Sequence, residues 1–141
     1  MPDLKMKDVL AEMVTGLEGT WVVIVADNDG MLLSAWDSPE NKVPPETLGG
    51  FIITVNSAID AFKQSTTGFG KLDDVIFSTA FTFQVIKPIA DTSCFMVVSA
   101  PNTVPLGMIR MACNNYALRL EQSLPGHGQM LRRDGMGTIV P

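Results

Sequence analysis

The chain reads as one α/β sandwich. A five-stranded antiparallel sheet is covered by helices on both faces, in the order helix, two strands, helix, three strands, helix. Three observations carry this reading. Apolar residues recur at helical spacing in three separate stretches. β-Branched runs bounded by turn residues fill the intervals between them. The links within each group of strands are too short for a crossover, so neighbouring strands run antiparallel. Residues 1–124 form the expected domain, and 125–141, with four glycines and two prolines, are expected to be a flexible tail.

Each element has a local cause. Met6, Val9, Leu10, Met13, Val14 and Leu17 lie on one face of a helix that Gly16 and Gly19 end. Residues 20–26 are β-branched and apolar without alternation, as in a strand buried on both faces. Asp27-Asn28-Asp29-Gly30 is a tight turn in which Gly30 supplies a positive φ, and residues 31–36 return as the second strand. Pro44 and Pro45 open the next helix, which runs to about residue 66. Leu48, Ile52, Val55, Ile59 and Phe62 form its stripe. Phe51, Ile53 and Ala58 widen that stripe beyond one contact, so two buried faces are expected. Strands are expected over 72–78, 81–88 and 93–100, with Phe81, Phe83 and Val85 on one face and Thr82 and Gln84 on the other. Asn102 or Thr103 is expected to cap the last helix, with Pro105 in its first turn. Leu106, Ile109, Cys113, Tyr116, Ala117, Leu120 and Leu124 line its buried stripe.

The composition is apolar and poor in charge: 46% hydrophobic against 18% charged residues, with a net charge of -5. A soluble chain of this size usually carries about a quarter charged residues. The longest apolar run, residues 21–26, is far short of the roughly 18 residues a membrane span needs. The first residues mix charges and lack the apolar stretch of a secretory leader. The expectation is a cytoplasmic protein with no integral membrane segment, hiding surface against another protein. The acidic balance, with Arg132-Arg133 the only adjacent basic pair, weighs against a nucleic-acid partner.

The sequence holds little that points to catalysis or metal binding. His127, the only histidine, falls in the tail, away from any nucleophile it would have to touch. One histidine with Cys94 and Cys113 cannot build a typical zinc site, and both cysteines read as small buried side chains. Placing Gly30 at the sixth position of a calcium loop puts Val25 and Trp36 where ligands are required. Gly68-Phe69-Gly70-Lys71 precedes a strand, so no helix N-terminus stands behind it to hold phosphate. Asp73 and Asp74 are adjacent in a strand and expected on opposite faces, as charges that blunt an edge. Arg110 lies off the last helix's stripe and reads as a surface arginine or a local ion pair ahead of an arginine finger. Met108 and Met111 also lie off that stripe; core filling accounts for most of the nine methionines. No catalytic residue, metal or cofactor is expected, and the chain reads as a non-enzyme.

Several stretches resemble the roadblock / dynein light chain family, above all its bacterial members that regulate Ras-like small GTPases. They are the helix ending Val14-Thr15-Gly16-Leu17-Glu18-Gly19, the hairpin Asp27-Asn28-Asp29-Gly30-Met31-Leu32-Leu33-Ser34, the long helix after Pro44-Pro45, and the opening Leu106-Gly107-Met108-Ile109-Arg110 of the last helix. The resemblance spans residues 4–124 and rests on the order and spacing of elements together. It implies a roadblock, profilin-like fold and a homodimer in which the central helix and the third strand pair with their copies. That interface would use Phe51, Val55, Ala58, Ile59 and Phe62, with Val75, Ile76 and Phe77 on the strand. It also implies a Ras-like small GTPase as partner, bound without a catalytic residue from this chain, with Arg110, Arg132 and Arg133 as partner contacts. A structural light-chain adaptor and a small-molecule sensor domain are the competing functions, since sheet-and-helix sandwiches host both.

Overall fold

A computed structural model describes residues 2–65, 68, 70, 72–90 and 92–124. The tail 125–141, with His127, Arg132 and Arg133, lies outside the described residues. The elements are α1 (Pro2–Thr15), β1 (Val22–Asp27), β2 (Leu32–Asp37), α2 (Pro45–Ser65), β3 (Val75–Ser78), β4 (Thr82–Pro88), β5 (Cys94–Pro101) and α3 (Leu106–Ser123). The order is the expected one.

The five strands form one sheet ordered β2-β1-β5-β4-β3, every pairing antiparallel. β5 is the central strand, and Cys94 through Ala100 are all buried. Strand alternation sends side chains into two cores. Val23, Val25, Val85, Met96 and Val98 meet α1 and α3 on one face. Val22, Ile24, Ile86, Phe95 and Val97 meet Leu48, Ile52, Val55 and Ile59 of α2 on the other. Burying a large aliphatic side chain contributes about 1.5–3 kcal/mol, so the four α2 side chains are a main tie between that helix and the sheet.

The β1–β2 turn forms as its sequence dictates. Asp29 and Met31 donate their backbone N–H groups to Asp27 Oδ1 at 2.9 and 3.0 Å, and Gly30 N–H donates to the Asp27 carbonyl at 2.9 Å. Gly30 has φ +82° and packs directly on Gly49 of α2. A Cβ added to Gly30 would lie 2.6 Å from the Gly49 carbonyl oxygen. On the opposite face α1 and α3 are clamped together. The Glu12 carboxylate accepts from Tyr116 Oη at 3.0 Å and from the Arg119 guanidinium, which also lies over the Tyr116 ring at 5.4 Å.

Four local expectations are corrected. β3 begins at Val75, and residues 72–74 lead into it outside the ladder. Neither Asn102 nor Thr103 caps α3: the cap residue is Pro105, with no side-chain hydrogen bond. Asn102 instead braces the β3–β4 turn, donating its backbone N–H to the Phe81 carbonyl at 2.8 Å and its amide to the Ala80 carbonyl at 2.9 Å. Phe81 precedes β4 in that turn and is 78% exposed, so it does not share the buried row of Val85. Ile53, expected to widen the buried stripe of α2, is 57% exposed.

Candidate functional site: the open face beside α2

α2 approaches the sheet over β1 and β2. It leaves the same face of β3 and β4 less covered. A groove of about 320 Å³ opens there, lined by Phe51, Phe77, Thr79 and Gln84. Phe77 pairs with Gln84 across the β3–β4 ladder, and Gln84 pairs in turn with Ser99 of β5. Gln84 Oε1 and Ser99 Oγ are both buried and without a hydrogen-bond partner among the described residues. The groove therefore sets two aromatics beside Gln84, with the buried Ser99 hydroxyl behind it, next to the sheet edge formed by β3.

The residues expected at an interface divide between this face and the interior. At about 100° per residue, Phe51, Ala58 and Phe62 fall on one flank of the buried α2 stripe. Ile53 falls on the other, beside Gly30. Phe51 and Phe62 are half-buried and Ala58 is exposed. Val55 and Ile59 are 6% and 2% exposed and belong to the chain's own core. On β3, Val75 packs towards α2 and Ile76 towards the α1–α3 layer, while Phe77 is 43% exposed. The structure thus brings Phe51 and Phe77 together at the groove, with Ala58 further along the same helix flank. It directs Val55, Ile59 and Ile76 inward.

Arg110 stands on the opposite face. Its Nε donates to Asp74 Oδ2 at 2.8 Å and a terminal nitrogen reaches Asp73 Oδ2 at 3.4 Å. Lys87 Nζ donates to Asp73 Oδ1 at 2.9 Å. This is the local ion pair expected for Arg110, but it corrects the separation expected for the two aspartates. They precede β3, where no ladder enforces alternation, and both carboxylates reach one guanidinium. Lys87 and then Arg110 hold the Asp73 carboxyl below its ordinary range, and Asp74 first, then Asp73, raises that of Arg110. Any other partner of Arg110 would compete with these bonds.

Both cysteines are buried, as expected. Burial pushes the Cys113 thiol up to about 12 and raises that of Cys94 as well, which keeps both protonated at neutral pH. Among the described residues no three histidine, cysteine or acidic side chains converge as a metal site, and no helix is long and apolar enough to cross a membrane.

Sequence reasoning missed the polar lining of the groove and the Asp73–Arg110–Asp74 cluster. The first had a partial signal: Gln84 stands between Phe83 and Val85 in the strand. The second had none, because its members are 36 and 37 residues apart.

No protein-family profile matches the chain, and no characterised protein matches it in sequence. Solved structures do match it. An MglB solved with a tetrameric arrangement superposes with a TM-score of 0.75 at 18% identity, over 88% of this chain and 93% of that one. The gliding protein MglB of Thermus thermophilus gives 0.75 at 16% identity, over 87% and 90%. A Roadblock/LC7 domain from Streptomyces avermitilis gives 0.68 at 12% identity, over 85% and 94%. The sheet, its three covering helices and their order are those of these proteins: the chain has the roadblock fold, in the form also seen in MglB.

Proposed function

We infer that the chain is a dimeric, non-enzymatic regulator or scaffold that binds a Ras-like small GTPase in the cytoplasm and modulates its GTP hydrolysis. The observation that carries this reading is the open apolar face beside α2, where Phe77 and Ala58 are exposed and Phe51, half-buried against the α2-side core, lines the groove. A patch at a sheet edge, with a strand free to pair, suits association between identical copies around a two-fold axis. The likeness in fold to MglB, one example of which is solved as a tetramer, supports self-association. The likeness in fold to a gliding protein fits this reading, and the regulatory role itself rests on the family resemblance of residues 4–124. In this reading residues 1–124 are the working domain. The paired α2 helices form the platform for the GTPase, and the tail 125–141 with Arg132 and Arg133 adds to the partner contact.

The test is to mix the purified protein with the small GTPase encoded nearest to it, loaded with GDP or with a non-hydrolysable GTP analogue. Complex formation is read by size-exclusion chromatography with light scattering, and GTP turnover in parallel. The reading predicts a complex in one nucleotide state. Binding in neither state rejects it.

A further inference from the structure

A cleft of about 480 Å³ lies away from the α2 face, between α3, the segment before β3 and the β4–β5 turn. Glu121 lines it. This residue is 9% exposed, yet its carboxylate has no hydrogen bond or ion pair among the described residues. The side chain is mostly covered, but its carboxylate oxygens are not sealed off, so the charge is hydrated through the cleft and open to a ligand entering it. The surroundings do not supply an opposite charge. Lys87 and Arg110 are spent on Asp73 and Asp74, two cations against two anions, which leaves Glu121 as the uncompensated charge among the described residues at the cleft.

The helix itself adds to the imbalance. Glu121 sits in the last turn of α3, which contains no basic residue. The C-terminal end of a helix carries partial negative charge and unpaired carbonyl groups, so it favours a cation and disfavours a carboxylate. The walls are of a different kind. Leu72, Pro88, Ala117 and Leu118 contribute apolar surface, and Leu118 is 61% exposed at the rim. Asn114 adds a neutral amide one turn of helix before Ala117 and Leu118. An anionic base under an apolar rim fits a cationic head carried on an aliphatic stem, the stem covering carbon while the head meets the carboxylate.

We propose that this cleft binds an organic cation, a guanidinium or primary ammonium on a short aliphatic chain, with Glu121 as its charge partner. The same chemistry is offered by a free small amine and by an arginine side chain of a protein, and the experiment separates the two. It stands independently of the GTPase reading, because neither α2 nor β3 contributes to the cleft.

The isotopically labelled full chain is titrated at constant ionic strength with agmatine, and separately with an acetylated and amidated Gly-Arg-Gly peptide; potassium chloride is the control. Saturable shifts of the Asn114, Ala117 and Leu118 amide resonances, absent with potassium chloride, are expected. Agmatine alone identifies a free amine as the ligand; the peptide, with or without agmatine, identifies a protein side chain. Glu121→Gln keeps the shape and removes the charge. It is expected to weaken binding about tenfold or more and to leave the thermal midpoint unchanged or higher. No saturable shift with either probe in the wild-type chain overturns the proposal, as does equal binding by Glu121→Gln. A lowered midpoint in that variant also overturns it, since the carboxylate would then have a partner in the free chain.

Discussion

Gly49 and Gly50 are neighbours in one helix with opposite constraints. Gly49 faces the backbone of Gly30 so closely that neither residue has room for a Cβ, whereas a Cβ on Gly50 would meet nothing within 4 Å. Neither backbone can swing aside as a side chain would, because one belongs to α2 and the other to the turn pinned by Asp27. Gly49→Ala is expected to cost about 1–3 kcal/mol through forced displacement. Gly50→Ala is expected to stabilise by up to about 1 kcal/mol, the helix-propensity difference. Urea denaturation of both variants checks the pair, and equal effects would mean the turn and helix are not in contact. At this scale the sequence was readable where the cause is local. Asp27 and Gly30 announce their turn because an Asx-type bond and a positive φ need those residue types there. Glu121 carried a signal too, a charge among Cys113, Ala117, Leu120 and Leu124 on the apolar stripe of α3. Asp73 and Asp74 misled, since alternation holds only inside a ladder.

Between elements, the Glu12 bonds to Arg119 and Tyr116 tie α1 to α3. Arg119, then Tyr116, holds the Glu12 carboxyl below its ordinary value of 4.5. A carboxyl lowered in the folded state stabilises it above the unfolded value, and that contribution is lost as pH falls through the lower folded value. The wild type is therefore expected to exceed Glu12→Gln in thermal midpoint at pH 7, and the gap should close as pH falls below 4.5. A gap independent of pH would assign the effect to packing. Helix periodicity located α1, α2 and α3 because each has one face against the sheet. It could not reveal Glu12 with Arg119, 107 residues apart, since no local pattern encodes which exposed side chains meet. For the same reason the apolar width of α2 signalled surplus surface but not its distribution. Val55 and Ile59 take the inner face, Phe51 and Ala58 one flank, and Ile53 the other.

At the scale of the whole molecule, the low charge and high apolar content resolve into two parts. Most of the apolar residues fill two cores, one on each face of the sheet. Part of the remainder lies beside α2 and β3. Val55 is a poor probe of this face: with 6% exposure it is a core residue, and a charge there would endanger a net stability of only about 5–15 kcal/mol. Ala58 is a better one, because it is exposed and arginine is a good helix former. The most direct test is sedimentation equilibrium of the wild type beside Ala58→Arg. Two copies of the 15.2 kDa chain in the wild type, and a folded single copy in the variant, is the predicted result. A well-folded wild type that sediments as one chain across the micromolar range would contradict the claim that this face is an interface between copies.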